Sequence, residues 1–237
     1  MIRGLIFDFD GLILETEGPV YQSWLELYQE FDADLPFDEW ALIIGTSNIE
    51  HFDPFQRLEH QVGHSLDKGV LAPRRLQREI DLAETQPILP GVETSIAEAQ
   101  RMGLKLGIAS SSSRDWVAGH LTRLGLLANF DVVHCSDDVA RTKPDPALYL
   151  LALESLGLRP EEAIVFEDSP NGVTAAKRAG IFCVAVPNPL TRQLPLDHAD
   201  LRLDSLEDMS LRDVILSVGA GEQGERGSRG AGAWERG

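Results

Sequence analysis

Leu5-Ile6-Phe7-Asp8-Phe9-Asp10-Gly11 is the stretch whose reading decides the fold. An apolar run ending in acidic residues and a glycine describes a strand whose carboxyl end opens into a turn. Because the run does not alternate with polar residues, both faces are expected to be covered, the habit of a parallel sheet. The second half of the chain supplies the companions. Lys105 to Ala109 reads as a strand running into Ser110-Ser111-Ser112-Ser113, Arg114 to Leu124 as a helix, and Phe130 to His134 as a strand. Pro146 to Leu156 reads as a helix stopped by Gly157, which suits a left-handed C-cap. Ala163 to Phe166 is a strand leading into Glu167-Asp168-Ser169-Pro170, Val173 to Ala179 a helix closed by Gly180, and Phe182 to Val186 the final strand. Strands alternating with helices imply right-handed crossovers, hence an α/β, Rossmann-like parallel sheet with helices on both faces.

Between the first strand and this series the pattern changes. From Thr16 to Thr85 the apolar residues recur at helical spacing, as in Tyr21, Trp24, Leu25, Leu27 and Tyr28, and later Leu71, Leu76, Ile80 and Leu82. The expectation is an inserted all-helical cap over 16–85, with residues 1–15 and 86–218 forming a discontinuous core. Ile88-Leu89-Pro90-Gly91-Val92 marks the return. Residues 219–237, rich in Gly, Glu and Arg, read as a disordered tail.

Of the 237 residues, 43% are hydrophobic and 25% charged, which is globular composition. The formal charge of −17 repels nucleic acid and anionic membrane surfaces, so neither is an expected partner. No apolar run approaches the roughly 20 residues that span a bilayer, and the start does not read as a signal peptide, which points to the cytoplasm. Cys135 and Cys183 sit in apolar stretches and read as reduced core thiols. A monomer is the default expectation. In so acidic a chain, any anion site must be built locally from a lysine, a metal ion, hydroxyls or backbone N–H groups.

Ligands of an open parallel sheet bind outside the carboxyl ends of the strands, which gathers the polar residues closing several strands. Here these are Asp8 with Asp10, then Ser110 with Ser111, then Lys143 in the loop Arg141-Thr142-Lys143-Pro144-Asp145, and Glu167 with Asp168. While the backbone stays extended, Asp8 and Asp10 project to one face and can share one ion. Their repulsion calls for a cation, and Mg²⁺ suits a few carboxylate oxygens plus a substrate phosphate, with Asp168 as the additional ligand. Hydrolysis of a phosphate ester needs a nucleophile, an acid for the leaving oxygen and positive charge on the phosphate. Asp8 is the candidate nucleophile, Asp10 the acid and base, and Lys143, Mg²⁺ and Ser110 the partners of the phosphate.

Blander readings stand beside these. Ser110 can serve as a helix N-cap for Arg114 onward, as can Ser112 or Ser113, and both roles can hold at once. A lysine before proline is commonly a solvated surface residue. His60 and His64, four apart, have metal-like spacing, but Gly63 weakens that helix and no third ligand accompanies them. Tyr21, Trp24 and Tyr28 read as cap core rather than a ligand box.

Taken together, the motifs resemble the haloacid dehalogenase-like hydrolase superfamily, in particular its β-phosphoglucomutase-like branch with a helical cap. The likeness covers residues 1 to about 215, through Asp8-Phe9-Asp10-Gly11, Ile108-Ala109-Ser110-Ser111, Lys143-Pro144-Asp145-Pro146 and Phe166-Glu167-Asp168-Ser169-Pro170-Asn171-Gly172. It implies Asp8 as nucleophile, Asp10 as acid/base that also binds the metal through its main-chain carbonyl, and Asp168 as the remaining metal ligand. Glu167 is then expected to hold a metal-bound water rather than the metal. Glu15, where many relatives place aspartate, is a departure that affects the linker into the cap.

The resemblance implies a phosphatase for a small phosphorylated metabolite, a sugar phosphate or similar. The alternative is a sugar-phosphate mutase. A mutase must grip a second phosphate with a cationic group on the cap loop, whereas Ile44-Gly45-Thr46-Ser47-Asn48 is neutral. An alkyl halide leaves without a proton, so the acid at Asp10 argues against a dehalogenase. A catalytically silent binding protein is a third possibility, opposed by the intact Asp8, Asp10, Lys143 and Asp168. Substrate selection is expected to fall to Glu17, Gly45, Thr46, Ser47 and Asn48 of the cap.

Overall fold

A computed structural model describes residues 1–45 and 52–218. Its centre is β1 (Gly4–Phe7), all four of whose residues are buried. β2 (Lys105–Ala109), β3 (Val132–His134), β4 (Ala163–Glu167), β5 (Phe182–Ala185) and β6 (Leu201–Arg202) join it in a six-stranded sheet of order β3-β2-β1-β4-β5-β6. Every pairing is parallel, with Phe7 level with Ile108 on one side and Phe166 on the other. The order reverses at β1. The crevice outside the carboxyl ends of β1, β2 and β4 is therefore the topological switch point where such sheets bind ligands.

The strands lack polar alternation because both faces are packed. Leu5, Phe7, Ile108 and Phe166 point into one apolar layer, and Ile6, Ala109 and Val165 into the opposite one. Helices α5 (Val92–Arg101) and α6 (Arg114–Arg123) cover the first layer, and α7 (Ala147–Leu156) and α8 (Pro170–Arg178) the second. A further helix at 211–218 returns Leu211 and Val214 to the first layer. Phe7 and Phe166 stack at 5.0 Å between ring centroids, so two strands that carry site residues are locked in register by their own aromatic pair.

Between β1 and β2 the chain forms α1 (Glu17–Gln29), α2 (Phe37–Trp40), α3 (Pro54–Val62) and α4 (Lys68–Glu84). These helices build an apolar cluster of their own around Trp24, Leu27, Tyr28, Trp40 and Leu58. The Tyr28 hydroxyl donates to the Pro54 carbonyl at 2.6 Å inside it. The outgoing and returning segments are tied together, Leu89 N–H donating to the Ile13 carbonyl at 2.9 Å. Glu15 pins the entry to α1 by accepting the Gly18 N–H at 2.8 Å. Among the described residues no helix is long and apolar enough to cross a membrane.

Several elements differ from expectation. β6 follows the strand expected to be last; two residues with a charged member carry too little pattern to be seen in advance. α8 starts at Pro170 rather than Val173, since proline is preset for a first helical turn and the Ser169 side chain caps it by accepting the Gly172 N–H. In α4, which the spacing of Leu71, Leu76, Ile80 and Leu82 marks as helical, Leu76 is 44% exposed and the helix turns Glu79 and Ala83 inward. The reason is Arg75, which ion-pairs with Glu79, donates to the Ser23 hydroxyl and lies over the Trp24 ring. α3 stops at the left-handed Gly63, so His60 and His64 share no helix face. Cys135 and Cys183 are buried free thiols. The segment Thr46 to Asn48 and the expected tail at 219–237 lie outside the described residues.

Phe166→Ala should cost about 3–5 kcal/mol, the range for truncating a buried aromatic, read as a lower denaturant midpoint with unchanged slope. A loss below about 1 kcal/mol would show that the β1–β4 aromatic pair is not structural.

Candidate active site

Each residue at the mouth of the sheet is placed by the end of a strand or the start of a helix. Asp8 directly follows β1, its N–H donating to the Phe166 carbonyl at 3.0 Å, and is 3% exposed. Lys143, from the loop before α7, is fully buried, and its Nζ stands 2.7 Å from both Asp8 Oδ1 and Glu167 Oε1. The same ammonium lies 5.0 Å from the Tyr149 ring centre. Burial opposes its charge, but Asp8 and Glu167 outweigh burial and hold Lys143 above the usual lysine range.

Glu167 ends β4. Its Oε1 accepts from Lys143 and from the Tyr149 hydroxyl, and its Oε2 from the N–H groups of Asp168 and Ser169 and from the Ser169 hydroxyl. With both oxygens so occupied, Glu167 serves as an anchor for Lys143 and for the start of α8. Asp168 is different. Its Oδ2 accepts from Asn188 Nδ2 at 2.8 Å, while its Oδ1 is buried with no hydrogen-bond partner.

Asp8, Glu167 and Asp168 bring carboxylate oxygens within 4.8 Å of one another. Burial, the Glu167 charge and the Asp10 charge push Asp8 up to about 8, against the pull of Lys143. Burial, then Glu167 and Asp8, push Asp168 well above the carboxylate range. Three buried carboxylates facing one ammonium are short of positive charge, and a buried acceptor without a donor is costly. A divalent cation between Asp8 and Asp168 answers both, so the residues fit a metal. Gly11 makes room beside it. At φ +72°, a side chain there would bring its Cβ within 2.4 Å of both Asp168 Oδ2 and Asn188 Nδ2.

The expectation that the carboxylates of Asp8 and Asp10 share one ion needs correction. Among the described residues, Asp10 is not part of the carboxylate cluster. The strand ends at Phe7, and the turn through Gly11 leaves the extended geometry on which that expectation relied. Asp10 is held elsewhere: Oδ1 accepts from the Thr16 hydroxyl and from Trp116 Nε1, each at 2.8 Å, and Oδ2 from the hydroxyls of Ser110 at 3.1 Å and Ser112 at 2.7 Å. Ser110 is buried and spends its hydroxyl proton on Asp10. Ser113, not Ser110, caps α6 by accepting the Trp116 N–H. Ser111 donates to the Gly45 carbonyl at 3.1 Å, so it ties the core to the helical insertion.

A second tie runs from Asn171 Nδ2 to the Ile44 carbonyl at 2.8 Å. Gly45, at φ +77°, comes so near Ser169 that a Cβ would lie 2.1 Å from its hydroxyl. The insertion and the core together line a cavity of about 510 Å³ over Asp8 and Asp10, with Trp24, Trp40, Phe55 and Trp116 among its walls. Trp24 thus serves both the apolar cluster and the cavity. Glu17 lines the cavity, is 8% exposed, and burial, followed by the Asp10 charge, pushes its carboxyl well up. No lysine or arginine lines this space among the described residues.

Reading the sequence alone missed Thr16, Ser112, Trp116, Tyr149 and Asn188. Asn188 lies just past β5 and could have been found by the strand-end rule. Nothing in local pattern marks Trp116, a helical aromatic that looks like any packing residue.

The chain is similar to known proteins over most of its length. The sequence profile of the family described as Haloacid dehalogenase-like hydrolase matches residues 5–186. YhcW of Bacillus subtilis, whose phosphatase designation is provisional, is 46% identical over 211 residues, covering 89% of this chain and 95% of that protein. The validoxylamine A 7′-phosphate phosphatase of Streptomyces hygroscopicus is 33% identical, covering 88% of this chain and 96% of its own length. A β-phosphoglucomutase structure from Clostridium difficile superposes with a TM-score of 0.77 at 24% identity, covering 94% and 99% of the two chains, which bears on the fold.

Between 3.8 and about 8, folded Asp8 keeps a proton that the unfolded chain has released. The cation-free protein should therefore lose stability as pH rises through that window. At pH 8 a divalent cation should raise the thermal midpoint, and Asp168→Asn should largely abolish the rise. Equal stabilisation of that variant in calorimetry would exclude the carboxylate cluster as the binding site.

Proposed function

The chain belongs to the haloacid dehalogenase-like hydrolase family, and from that premise we propose that it is a phosphatase acting on a small phosphorylated metabolite, a sugar phosphate or similar, through an aspartyl phosphate on Asp8. The reading is carried by the buried Lys143 bridge between Asp8 and Glu167, which lies behind the one of its members, Asp8, that reaches the cavity. It fixes Asp8 Oδ1 and leaves Oδ2 as the attacking atom. A carboxylate oxygen so held needs little reorganisation to approach phosphorus.

Mg²⁺ is the ion we assign to Asp8 and Asp168, with the Asp10 main-chain carbonyl as a further ligand; when bound it supplies positive charge to the phosphate oxygens. Lys143 keeps Asp8 oriented and adds its own charge from the protein side. Ser110 and Ser111 supply hydroxyl donors to the phosphate. Asp10 gives a proton to the leaving oxygen as the bond from phosphorus to Asp8 forms. It then takes a proton from the water that cleaves that bond. Residues 16–85 act as the cap, with Glu17, Gly45 and the following Thr46, Ser47 and Asn48 selecting the leaving group. Closing the cavity excludes bulk water and strengthens each of these interactions.

Hydrolysis is favoured over a mutase by the charge of the walls. Asp53, Glu17 and Glu79 line the cavity, with no cation to grip a second phosphate among the described lining residues. Phosphate release over a panel of sugar phosphates, polyol phosphates and nucleotides should reveal turnover that requires Mg²⁺ and stops with a chelator. Asp8→Asn should lower it on the order of 10³-fold or more. Turnover retained by that variant would refute the nucleophile, and no turnover of any ester would leave the fold as a binding protein.

A further inference from the structure

The two oxygens of Asp10 are held by chemically different donors. Oδ1 faces the Trp116 indole N–H and the Thr16 hydroxyl, and Oδ2 the hydroxyls of Ser110 and Ser112. An indole N–H can only donate, whereas a hydroxyl can rotate and accept instead. While Trp116 is bonded to it, Oδ1 is therefore held as an acceptor. Oδ2 is surrounded by groups that can change role.

Ser110 and Trp116 each have a fixed place. Ser110 Oγ accepts the Ser112 N–H at 3.0 Å and has one proton, which goes either to Asp10 or to a phosphate oxygen. Trp116 sits in the first turn of α6, its own N–H bound to the Ser113 cap and its ring edge-to-face on His120 at 4.4 Å. His120 in turn lies against Phe9, one residue before Asp10, at 6.2 Å. The indole is thus a donor aimed by its own helix.

We propose that Trp116, with Thr16, is a positioning residue that dictates which oxygen of Asp10 carries the catalytic proton. Oδ1 stays an acceptor, while at Oδ2 substrate phosphate draws the Ser110 proton to itself and the Ser112 hydroxyl turns to accept, so that Oδ2 takes up a proton from water. Oδ2–H then gives its proton to the leaving alkoxide as the bond from phosphorus to that oxygen breaks and the bond to Asp8 forms. In the second half Oδ2 takes a proton from the attacking water as the Asp8–phosphorus bond breaks. The inference rests on the roles proposed above for Asp8 and Asp10.

Leaving groups separate this role from a structural one. p-Nitrophenolate departs without needing a proton, whereas a sugar or polyol alkoxide needs one. The test compares kcat of wild type, Trp116→Phe and Thr16→Val on p-nitrophenyl phosphate and on the best alkyl monoester of the phosphate-release panel, with Asp10→Asn to set the scale. In both variants the loss on the alkyl ester should exceed the loss on the aryl ester by about tenfold or more, part of the 10²- to 10⁴-fold that acid catalysis supplies. Equal losses on both esters, or a change confined to KM, would overturn the proposal. If Trp116→Phe does not fold, Thr16→Val decides alone, because Thr16 makes no cap hydrogen bond through its side chain. Wild type inactive on every ester would instead count against the phosphatase reading.

Discussion

Lys143 holds the site together. Fully buried, it touches the Asp8 and Glu167 carboxylates equally and lies over Tyr149, so one ammonium joins the end of β1, the end of β4 and α7. An ion taken out of water is tolerated only when opposite charge and hydrogen bonds replace its hydration. Here the replacement is asymmetric. Two carboxylates touch the ammonium and a third, Asp168, lies beside them, so removing that ammonium would strand buried charge at a cost of about 3–5 kcal/mol. The sheet makes the bridge possible because the Phe7–Phe166 stack fixes the register that places Asp8 beside Glu167.

The acidic character of the chain extends into the cavity. A net charge of −17 repels a phosphate ester at long range, so attraction must be concentrated at the floor. Lys143, buried behind Asp8, and a cation between Asp8 and Asp168 would provide it. Above the floor the walls are aromatic and acidic, which suits an uncharged, hydroxylated body in contact with tryptophan faces and carboxyl oxygens. Ser111 and Asn171 bind the core to Gly45 and Ile44, which holds the insertion beside the cavity.

The sheet and its helices were legible because the apolar runs around Ile6, Ile108 and Val165 have a short, uniform pattern that only a doubly covered strand requires. The strand-end rule likewise brought Asp8, Lys143, Glu167 and Asp168 to one place. What it could not convey was direction. Asp8 and Asp10 are two apart in a strand-like stretch, yet the strand ends at Phe7 and the turn through Gly11 sends Asp10 to Thr16, Ser112 and Trp116. The inward face of α4 was hidden for another reason: Arg75 and Glu79 satisfy each other there, so charged residues occupy positions that a hydrophobic pattern assigns to leucine. The two-residue β6 is too short to show any period.

The central claim is that Asp8 becomes phosphorylated. Rapid acid quench of the Mg²⁺-loaded enzyme during turnover, followed by peptide mass spectrometry, addresses it directly. The account predicts a phosphoryl group on the peptide containing Asp8, labile to alkali and missing in Asp8→Asn. Turnover with no phosphorylated peptide at any quench time, or with the label on another residue, would contradict it.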